Sequence, residues 1–214
     1  MDRIRIKTLK LADCSDDRTI LQSYLLPKER EEFSLISHHL KKEEFLVSRK
    51  LIKEIVSEIV GVSISQIEVK KNSFGKPYVE ELNKINSSFS LAHSHGVVAV
   101  AYGPYLNLGV DIEKVDPTRN LDSLSKRVLN SSEFSFWSGL SSQEKVAYFY
   151  KYWVLKEAYL KAVGKGFRIE MKTINSHQAG AFYFLVSENE KRAKAKIINS
   201  VPGFCLSVAY LSDS

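Results

Sequence analysis

The order of apolar and polar residues predicts strands and helices in both halves of the chain. Strict alternation is typical of half-buried strands, and apolar residues three and four positions apart are typical of helices. Strands are predicted at 3–9, 64–71, 89–94, 97–102, 107–113, 181–186, 194–198 and 204–211. Helices are predicted from 27 through 33, at 42–60, around 121–128, from 132 onward and at 143–163. The pattern predicts an α+β protein with two halves, each containing strands and one long amphipathic helix.

Both long helices are predicted to end at a glycine. The first carries a series of aliphatic residues at helical spacing, and Gly61 ends that series. Its other side shows Arg49, Lys50 and Lys53, which we expect to be solvated charges. The second long helix ends at Gly164. No convincing residue-by-residue repeat relates the two halves at the level of sequence.

Two acids share one face of the predicted strand 107–113. Three aliphatic residues alternate there with Gly109, Asp111 and Glu113, so the strand buries the aliphatic residues and turns both acids to its other face. Carboxylates two positions apart on a strand lie within reach of one hard cation, and Gly109 leaves room for a ligand or another backbone. The pair is therefore a candidate cation site, although alternating strands also carry solvated acids.

A third carboxylate belongs to the second long helix. Trp153, Glu157 and Lys161 lie four residues apart and so share one helical face. Glu157 and Lys161 are either a surface ion pair or part of a binding site. The apolar residues around Glu157 favour a partner such as a cation, because a partly buried acid needs one.

The composition is that of a folded protein with a preference for anionic partners. The 214 residues are 44% apolar and 26% charged, with a formal net charge of +6. The lysines are scattered and no nucleic-acid-binding motif is present, so nucleic acid is not an expected partner. Cys14 and Cys205 have no metal-ligand spacing, and no signal-peptide or membrane-spanning pattern occurs. We therefore expect a cytoplasmic protein that does not bind membranes.

Two motifs of the chain resemble those of a known family. Gly109-Val-Asp-Ile-Glu113, followed by Trp153-Val-Leu-Lys-Glu-Ala-Tyr-Leu-Lys161, is similar to the two signature motifs of the Sfp-type 4′-phosphopantetheinyl transferases. Two further stretches resemble other landmarks of that family, Phe74-Gly-Lys-Pro77 and Phe89-Ser-Leu-Ala-His-Ser94. The resemblance extends from about residue 26 to residue 167. Ala92 and Val154 depart from it, since hydroxyl residues are frequent at these positions in the family.

The resemblance implies a fold and a place for the substrate. The family has two similar α/β halves related by a pseudo-twofold, each a small, mainly antiparallel sheet with a long helix, and coenzyme A binds in the cleft between them. By this resemblance, residues 1–105 form a half that contacts the coenzyme nucleotide, and residues 106–214 form a half with the metal site. Two such halves in one chain imply a monomer.

The resemblance also implies which residues hold coenzyme A. Lys76, beside Pro77, matches the motif that packs against the adenine and the nucleotide phosphates. His93, followed by Ser94, matches the histidine that contacts the coenzyme phosphates, and an imidazole beside hydroxyls suits an oxyanion. A basic residue near Arg49 is implied to reach the 3′-phosphate.

The expected metal is magnesium, with manganese as a substitute. Magnesium prefers oxygen ligands, keeps water in its coordination sphere and commonly binds substrate phosphates. The expected protein ligands are Asp111, Glu113 and Glu157.

The expected reaction transfers 4′-phosphopantetheine from coenzyme A to a serine hydroxyl of an acidic acyl or peptidyl carrier protein and releases adenosine 3′,5′-bisphosphate. Glu157, directly or through a metal-bound water, is the expected base, and Glu133 is the second candidate. Lys156 and Lys161 are expected to stabilise phosphate charge in the transition state.

Two other functions fit the same acids. One is a different magnesium-dependent phosphotransferase or nuclease that needs no carrier protein. The other is a non-catalytic module that binds coenzyme A or an acidic protein.

A group of apolar residues between the last two predicted helices is also open to two interpretations. These residues either fill the core or form a docking patch for the carrier protein: Phe134, Phe136, Trp137 and Leu140.

Overall fold

The computed structural model of the chain describes residues 3–164 and 168–211. Residues 165–167, at the end of the resemblance to the transferase family, lie outside the described residues. The chain divides into two compact units, residues 1–106 (unit 1) and residues 107–214 (unit 2). Each unit contains an antiparallel sheet and one helix of 22 residues, which confirms the predicted α+β halves. No helix in the described ranges is long and apolar enough to cross a membrane.

Unit 1 has a three-stranded antiparallel sheet with the strand order β1-β5-β4, and a separate two-stranded pair, β2-β3. In chain order its elements are β1 (Arg5–Lys10), α1 (Arg18–Ser23), α2 (Pro27–Leu35), α3 (His39–Val60), β2 (Lys70–Lys71), β3 (Pro77–Tyr78), α4 (Glu80–Lys84), β4 (Ser88–Ser94) and β5 (Val97–Gly103). Helix α3 buries its aliphatic face and ends at Gly61, whose φ of 72° is the left-handed conformation that glycine adopts without strain.

Two basic residues of α3 differ from the prediction. The sequence pattern predicts that Arg49 and Lys53 are solvated, but both are buried. Both reach the carboxylate of Glu29 on α2, at 3.1 Å from Arg49 Nε and 2.6 Å from Lys53 Nζ. The prediction is wrong because a buried acid on a neighbouring helix leaves no trace in the periodicity of α3.

The strand predicted at 64–71 is mostly a different structure. Ile64–Gln66 is a short 3-10 helix, and only Lys70–Lys71 pairs as a strand. The alternating residues Ile67 and Val69 are nevertheless buried in the core of unit 1. Alternation predicted the burial of this segment correctly and its strand pairing wrongly.

Unit 2 has a five-stranded antiparallel sheet with the strand order β6-β10-β9-β8-β7. In chain order its elements are β6 (Leu108–Lys114), α5 (Asp122–Val128), α6 (Ser131–Ser138), α7 (Ser142–Val163), β7 (Asn175–Ala179), β8 (Phe182–Val186), β9 (Ala193–Ile198) and β10 (Phe204–Leu211). The three predicted strands after residue 180 are confirmed. The edge strand β7 was not predicted, because its mostly exposed Asn-Ser-His-Gln-Ala sequence lacks the apolar alternation of a half-buried strand.

The two units repeat one arrangement of elements, although no repeat is evident in the sequence. The strand order β1-β5-β4 of unit 1 matches β6-β10-β9 of unit 2. Helices α3 and α7 have equal length, are related by an offset of 103 residues, and both end at a left-handed glycine, Gly61 and Gly164. The repeat is one of structure, since the two helices share few identical residues.

The apolar residues of α6 divide between the core and the surface. Trp137 is buried, and its Nε1 donates a hydrogen bond to the main-chain oxygen of Lys145 at 3.0 Å. Phe136 is 61% exposed. Trp137 therefore belongs to the core, as the first interpretation predicts. Phe136 lies at the surface, where it could contact a carrier protein.

Helix α7 lies directly against β6 at Gly109. A β-carbon at this position would stand 1.9 Å from the main-chain oxygen of Ala158 and 2.6 Å from the main-chain nitrogen of Ala162. Of the two possibilities raised by the sequence, a ligand or another backbone, the structure shows a backbone. No side chain fits between this strand and this helix without moving one of them.

We predict that Gly109→Ala destabilises the protein by about 3 kcal/mol or more, because its β-carbon collides with the rigid backbone of α7. Chemical denaturation measures the loss. The matched control is Gly139→Ala, whose β-carbon would meet only the main-chain oxygen of Phe136 at 3.7 Å and whose backbone is already right-handed. That control is expected to stay within about 0.5 kcal/mol of the parent. Equal effects of the two substitutions would contradict the close contact.

Candidate active site

Asp111 is buried between the sheet of unit 2 and α7. It lies in the middle of β6 on the face that Gly109 presents to the helix, and it is 6% exposed. Its Oδ1 accepts a hydrogen bond from Lys161 Nζ at 2.8 Å. Its Oδ2 is buried and has no hydrogen-bond partner among the described residues. The interpretation of Asp111 as a solvated acid on an alternating strand is therefore wrong.

The surroundings of Asp111 make its negative charge costly. The pKa of its carboxyl is raised to about 6, mainly by burial; the Lys161 ammonium opposes the rise, and the neighbouring Glu113 adds to it. The positive charge of Lys161 therefore offsets only part of the cost of burying the Asp111 carboxylate.

Glu157 stands on α7 in the turn that faces Asp111. Burial raises the pKa of the Glu157 carboxyl to about 7, the negative charge of Asp111 adds to the rise, and Lys161 opposes it. The simple surface pair between Glu157 and Lys161 is not what the structure shows, because Lys161 makes its salt bridge with Asp111. Two carboxylates and one lysine thus share a partly dehydrated site.

The three predicted metal ligands do not form a ready-made cage. Glu113 follows Asp111 on the same face of β6 and is half-buried. Among the described residues, no group of three or more His, Cys, Asp or Glu side chains is arranged around a metal position. Asp111 and Glu157 interact electrostatically with each other and with Glu113, so the acids are near neighbours without converging on one point.

Ser207 is a further polar group beside Asp111 that sequence reasoning missed. It pairs with Asp111 across β10 and β6, is fully buried, and its Oγ has no hydrogen-bond partner among the described residues. Two adjacent buried oxygens without partners are unusual, because such atoms normally find one. Only the strand register brings these residues together, so the sequence contains no local signal for Ser207.

A cavity of about 610 Å³, which is within the usual range for small-ligand sites, opens beside Glu157. Its walls come from α5, α7 and the segment around Met171, and most of them are apolar. Three cationic side chains also line it: Lys126, Arg127 and Lys172. The carboxylate of Glu157 is therefore accessible from a cavity with apolar walls and basic residues.

Lys156 and Glu133 occupy a different environment from the one predicted. Lys156 is fully buried, and its Nζ donates to Glu133 Oε2 at 2.6 Å and to the main-chain oxygens of Val128 and Met171 at 2.8 and 3.1 Å. Glu133 also accepts a hydrogen bond from Ser176 Oγ at 2.7 Å. The three protons of the ammonium are used inside unit 2, so the prediction of a phosphate contact for Lys156 is wrong in this structure.

In unit 1, Lys76 follows a tight turn. Asn72 Oδ1 accepts hydrogen bonds from the main-chain N–H groups of Phe74 and Lys76, both at 2.9 Å, and Gly75 has a φ of 82°. Pro77 then begins β3. Burial lowers the pKa of the Lys76 ammonium to about 8. A half-buried ammonium of this kind favours binding of an anion, which would restore part of the lost solvation.

His93 is held by a carboxylate that the sequence did not single out. The ring is exposed, and its Nδ1 lies 3.0 Å from Oε2 of the buried Glu44 on α3. The other carboxylate oxygen of Glu44 accepts the Gly96 N–H at 2.9 Å. Glu44 thereby fixes the ring and leaves Nε2 facing away from it. Ser94 is buried beside this pair, with its Oγ 3.0 Å from His95 Nδ1.

Arg49, the predicted contact to the 3′-phosphate, is already surrounded by acids. Besides its contact with Glu29, its Nη2 donates to Glu32 at 3.4 Å, and its guanidinium lies 4.2 Å from the centre of the Phe45 ring. Two carboxylates and an aromatic ring therefore neutralise and cover this charge.

Comparison with known families agrees with both units. The model of the 4′-phosphopantetheinyl transferase superfamily matches residues 107–209, and the model of the 4′-phosphopantetheinyl transferase N-terminal region matches residues 14–104. Together they span nearly all of the described chain. The chain belongs to the 4′-phosphopantetheinyl transferase superfamily. The two matches, one for each unit, correspond to the Sfp-type architecture of that superfamily.

Individual members of the superfamily are similar over much of the chain. The 4′-phosphopantetheinyl transferase HetI of Nostoc is 32% identical over 58% of this chain and 53% of its own length. The phosphopantetheinyl transferase of Thraustochytrium is 34% identical over 70% of this chain and 56% of its own length. The 4′-phosphopantetheinyl transferase Sfp of Bacillus subtilis is 26% identical over 87% of this chain and 82% of its own length. The chain thus spans about half the length of the first two relatives.

Asp111, Glu157 and Lys161 lie in the stretch that matches the superfamily model, and Lys76 and His93 lie in the stretch that matches the N-terminal model.

We predict that Glu157→Gln stabilises the metal-free protein at pH 8 but not at pH 5. The folded-state pKa of Glu157 is about 7 and its ordinary value is 4.5, so the folded protein keeps a proton that the unfolded chain releases. Stability therefore falls as the pH rises from about 4.5 to 7, and glutamine removes that loss, which we expect to be about 1–2 kcal/mol.

Denaturation curves at the two pH values in a chelator provide the measurement. Glu188→Gln is the matched control, because Glu188 is exposed and is expected to show no difference between the two pH values. A Glu157→Gln variant that is less stable than the parent at pH 8 would argue against a dehydrated, repelled carboxylate.

Proposed function

We propose that this protein is a 4′-phosphopantetheinyl transferase, which transfers 4′-phosphopantetheine from coenzyme A to a serine hydroxyl of an acyl or peptidyl carrier protein. The observation that carries the proposal is the group formed by Asp111, Glu157 and Lys161, partly buried between β6 and α7 in a member of this superfamily. The relatives named above are themselves described as phosphopantetheinyl transferases.

Magnesium is the metal that these residues suit. Asp111 has a buried oxygen without a hydrogen-bond partner among the described residues, and the negative charges of Asp111, Glu157 and Glu113 repel one another. A hard cation bound here would coordinate that oxygen and reduce the repulsion. Magnesium commonly binds through one or two carboxylates together with substrate phosphates, so an all-protein cage is not required. We assign Asp111 and Glu157 as its ligands and Glu113 as a ligand that water can replace, with manganese as a substitute metal.

The bound cation would neutralise charge on the pyrophosphate of coenzyme A. Glu157 accepts the proton of the acceptor serine hydroxyl, directly or through water. The serine oxygen then attacks the pantetheine-side phosphorus, and the bond to the adjacent bridging oxygen breaks. The leaving group is adenosine 3′,5′-bisphosphate. Lys161 lies at the site and stabilises the negative charge that develops on the phosphate oxygens.

The cavity beside Glu157 suits the approach of an acidic carrier. Its apolar walls can contact a carrier surface, and Lys126 and Arg127 can attract acidic residues, whereas Lys172 is paired with Glu170 at 3.0 Å. The formal charge of +6 adds long-range attraction that salt weakens. Phe136, on α6, is the exposed member of the apolar group 134–140 and is a further candidate contact.

In unit 1 we assign the coenzyme contacts to Lys76, Pro77, His93 and Ser94. Lys76 supports the assignment by its dehydrated ammonium, and His93 by the exposed ring that Glu44 holds in place. We no longer assign Arg49, because two acids already neutralise it. We also infer a cytoplasmic monomer, since the metabolite coenzyme A is the donor and one chain contains both kinds of contact.

We predict that Asp111→Asn and Glu157→Gln each lower the rate of carrier modification by about 100-fold or more, because each removes a proposed metal ligand and Glu157→Gln also removes the base. Intact-protein mass spectrometry of an apo carrier incubated with coenzyme A and magnesium follows the reaction. Glu188→Gln, on the exposed surface, is the control for loss of a carboxylate and is expected to retain the parental rate. Parental rates in both folded variants would refute the assignment.

We further predict that Lys76→Gln and His93→Gln weaken coenzyme A binding about tenfold or more, because each removes a proposed hydrogen-bond donor to phosphate. Isothermal titration calorimetry measures the affinities. The matched controls are the exposed Lys41→Gln and His38→Gln, which make the same substitutions elsewhere in unit 1. If all four variants bind coenzyme A equally well, neither Lys76 nor His93 belongs to the site.

A further inference from the structure

A buried lysine ties three helices together in unit 1. Lys53 of α3 is fully buried, and its Nζ lies 2.6 Å from Glu29 Oε2 and 2.7 Å from the main-chain oxygen of Tyr24, at the end of α1. Glu29 is the third residue of α2 and also accepts the N–H of Leu26 at 2.9 Å. The ammonium thus joins the end of α1, the first turn of α2 and the middle of α3.

The same arrangement occurs in unit 2. Lys156 of α7 is fully buried, and its Nζ lies 2.6 Å from Glu133 Oε2 and 2.8 Å from the main-chain oxygen of Val128, at the end of α5. Glu133 is the third residue of α6 and accepts the N–H of Asn130 at 2.9 Å. We call each lysine–glutamate pair with its main-chain contact a helix lock.

The two locks occupy equivalent positions. Lys53 and Lys156 are both the fifteenth residue of a 22-residue helix, and each is followed by a glutamate, Glu54 or Glu157. Each paired glutamate is the third residue of the preceding short helix. Because the helix positions of both the lysine and its glutamate partner agree, the two locks are the same structural feature, present once in each unit.

The acid on the neighbouring strand is present in only one unit. Strand β1 of unit 1 reads Arg-Ile-Lys-Thr-Leu-Lys and has no carboxylate, whereas β6 of unit 2 carries Asp111 and Glu113. In unit 1 the glutamate after the lysine, Glu54, accepts a hydrogen bond from Tyr24 Oη at 3.0 Å. Unit 1 therefore has a helix lock although its strand β1 carries no acids. The lock does not require the chemistry of Asp111 and Glu113.

We infer that Glu133 and Lys156 are positioning residues, which fix α7 so that Glu157 faces Asp111, and that Glu133 does not take the proton of the acceptor hydroxyl. The inference rests on the proposed transferase function. Its physical basis is that Lys156, immediately before Glu157, holds the helix at three points through its three donated hydrogen bonds. A carboxylate already engaged by this ammonium, by Ser176 and by the N–H of Asn130 has little capacity left to act as a base.

Paired substitutions in the two locks test the inference. Lys156→Met leaves Glu133 buried without its cation, and we expect the melting temperature to fall by about 10 °C. In the double variant Glu133→Gln with Lys156→Met no buried charge remains, and we expect at least half of that loss to be recovered. Lys53→Met, alone and with Glu29→Gln, is the matched pair in unit 1 and is expected to show the same pattern of melting temperatures.

Turnover per folded molecule separates a positioning residue from a base. We expect the double variant in unit 2 to retain a kcat within about tenfold of the parent and the same acidic limb of the pH–rate profile, because Glu157 remains. A stable double variant whose kcat falls by 100-fold or more, with that limb lost, would overturn the inference and identify Glu133 as the base. In unit 1, Lys53→Met and its double variant are expected to keep the parental kcat.

Magnesium affinity supplies a readout that does not need turnover. We expect Lys156→Met to weaken magnesium binding in calorimetry about fivefold or more, and Lys53→Met to leave it unchanged, although both lower the melting temperature. Equal effects of the two variants on magnesium affinity would overturn a positioning role. If the parent binds magnesium but modifies no carrier, the proposed function is wrong. The magnesium affinities of Lys156→Met and Lys53→Met still show whether the lock in unit 2 positions Glu157.

Discussion

The contact between Gly109 and the backbone of α7 sets the geometry on which the candidate site depends. Since this position admits no β-carbon, the helix approaches β6 at backbone distance, and Ala158 and Ala162 form the contact. These alanines directly follow Glu157 and Lys161 in the sequence. The same turns of helix that touch the glycine therefore carry the side chains that surround Asp111, and water is excluded from one side of the carboxylate.

Close approach of strand and helix has an electrostatic consequence. Asp111 and Glu157 are dehydrated near each other, which raises the pKa of both, and the ammonium of Lys161 offsets only part of the repulsion. Such a group costs folding stability, and it gains affinity for a cation and for anionic phosphates that bind together with that cation. The buried lysines of the two helix locks show a different case, in which each ammonium contacts one carboxylate and main-chain oxygens and joins neighbouring helices.

The sequence was informative where a local rule decides the structure. Alternation located β6, Gly61 and Gly164 ended the long helices, and the ordered motifs indicated the superfamily. The sequence was uninformative where partners come from distant elements. The burial of Lys53 depends on Glu29, and the neighbour of Asp111 in β10 depends on strand register. The repeated lock was missed because α3 and α7 share few identical residues, and the shared Lys-Glu pair has no meaning until its partners are known.

The central claim is that the dehydrated carboxylates beside Lys161 serve a transfer reaction between coenzyme A and a carrier protein. The most direct measurement compares the amount of adenosine 3′,5′-bisphosphate released with the amount of carrier modified, in magnesium and in chelator. The account predicts one bisphosphate for each carrier that gains 4′-phosphopantetheine, and neither product without magnesium or without carrier. Release of the bisphosphate in the absence of carrier, or no magnesium-dependent modification of any apo carrier tested, would contradict it.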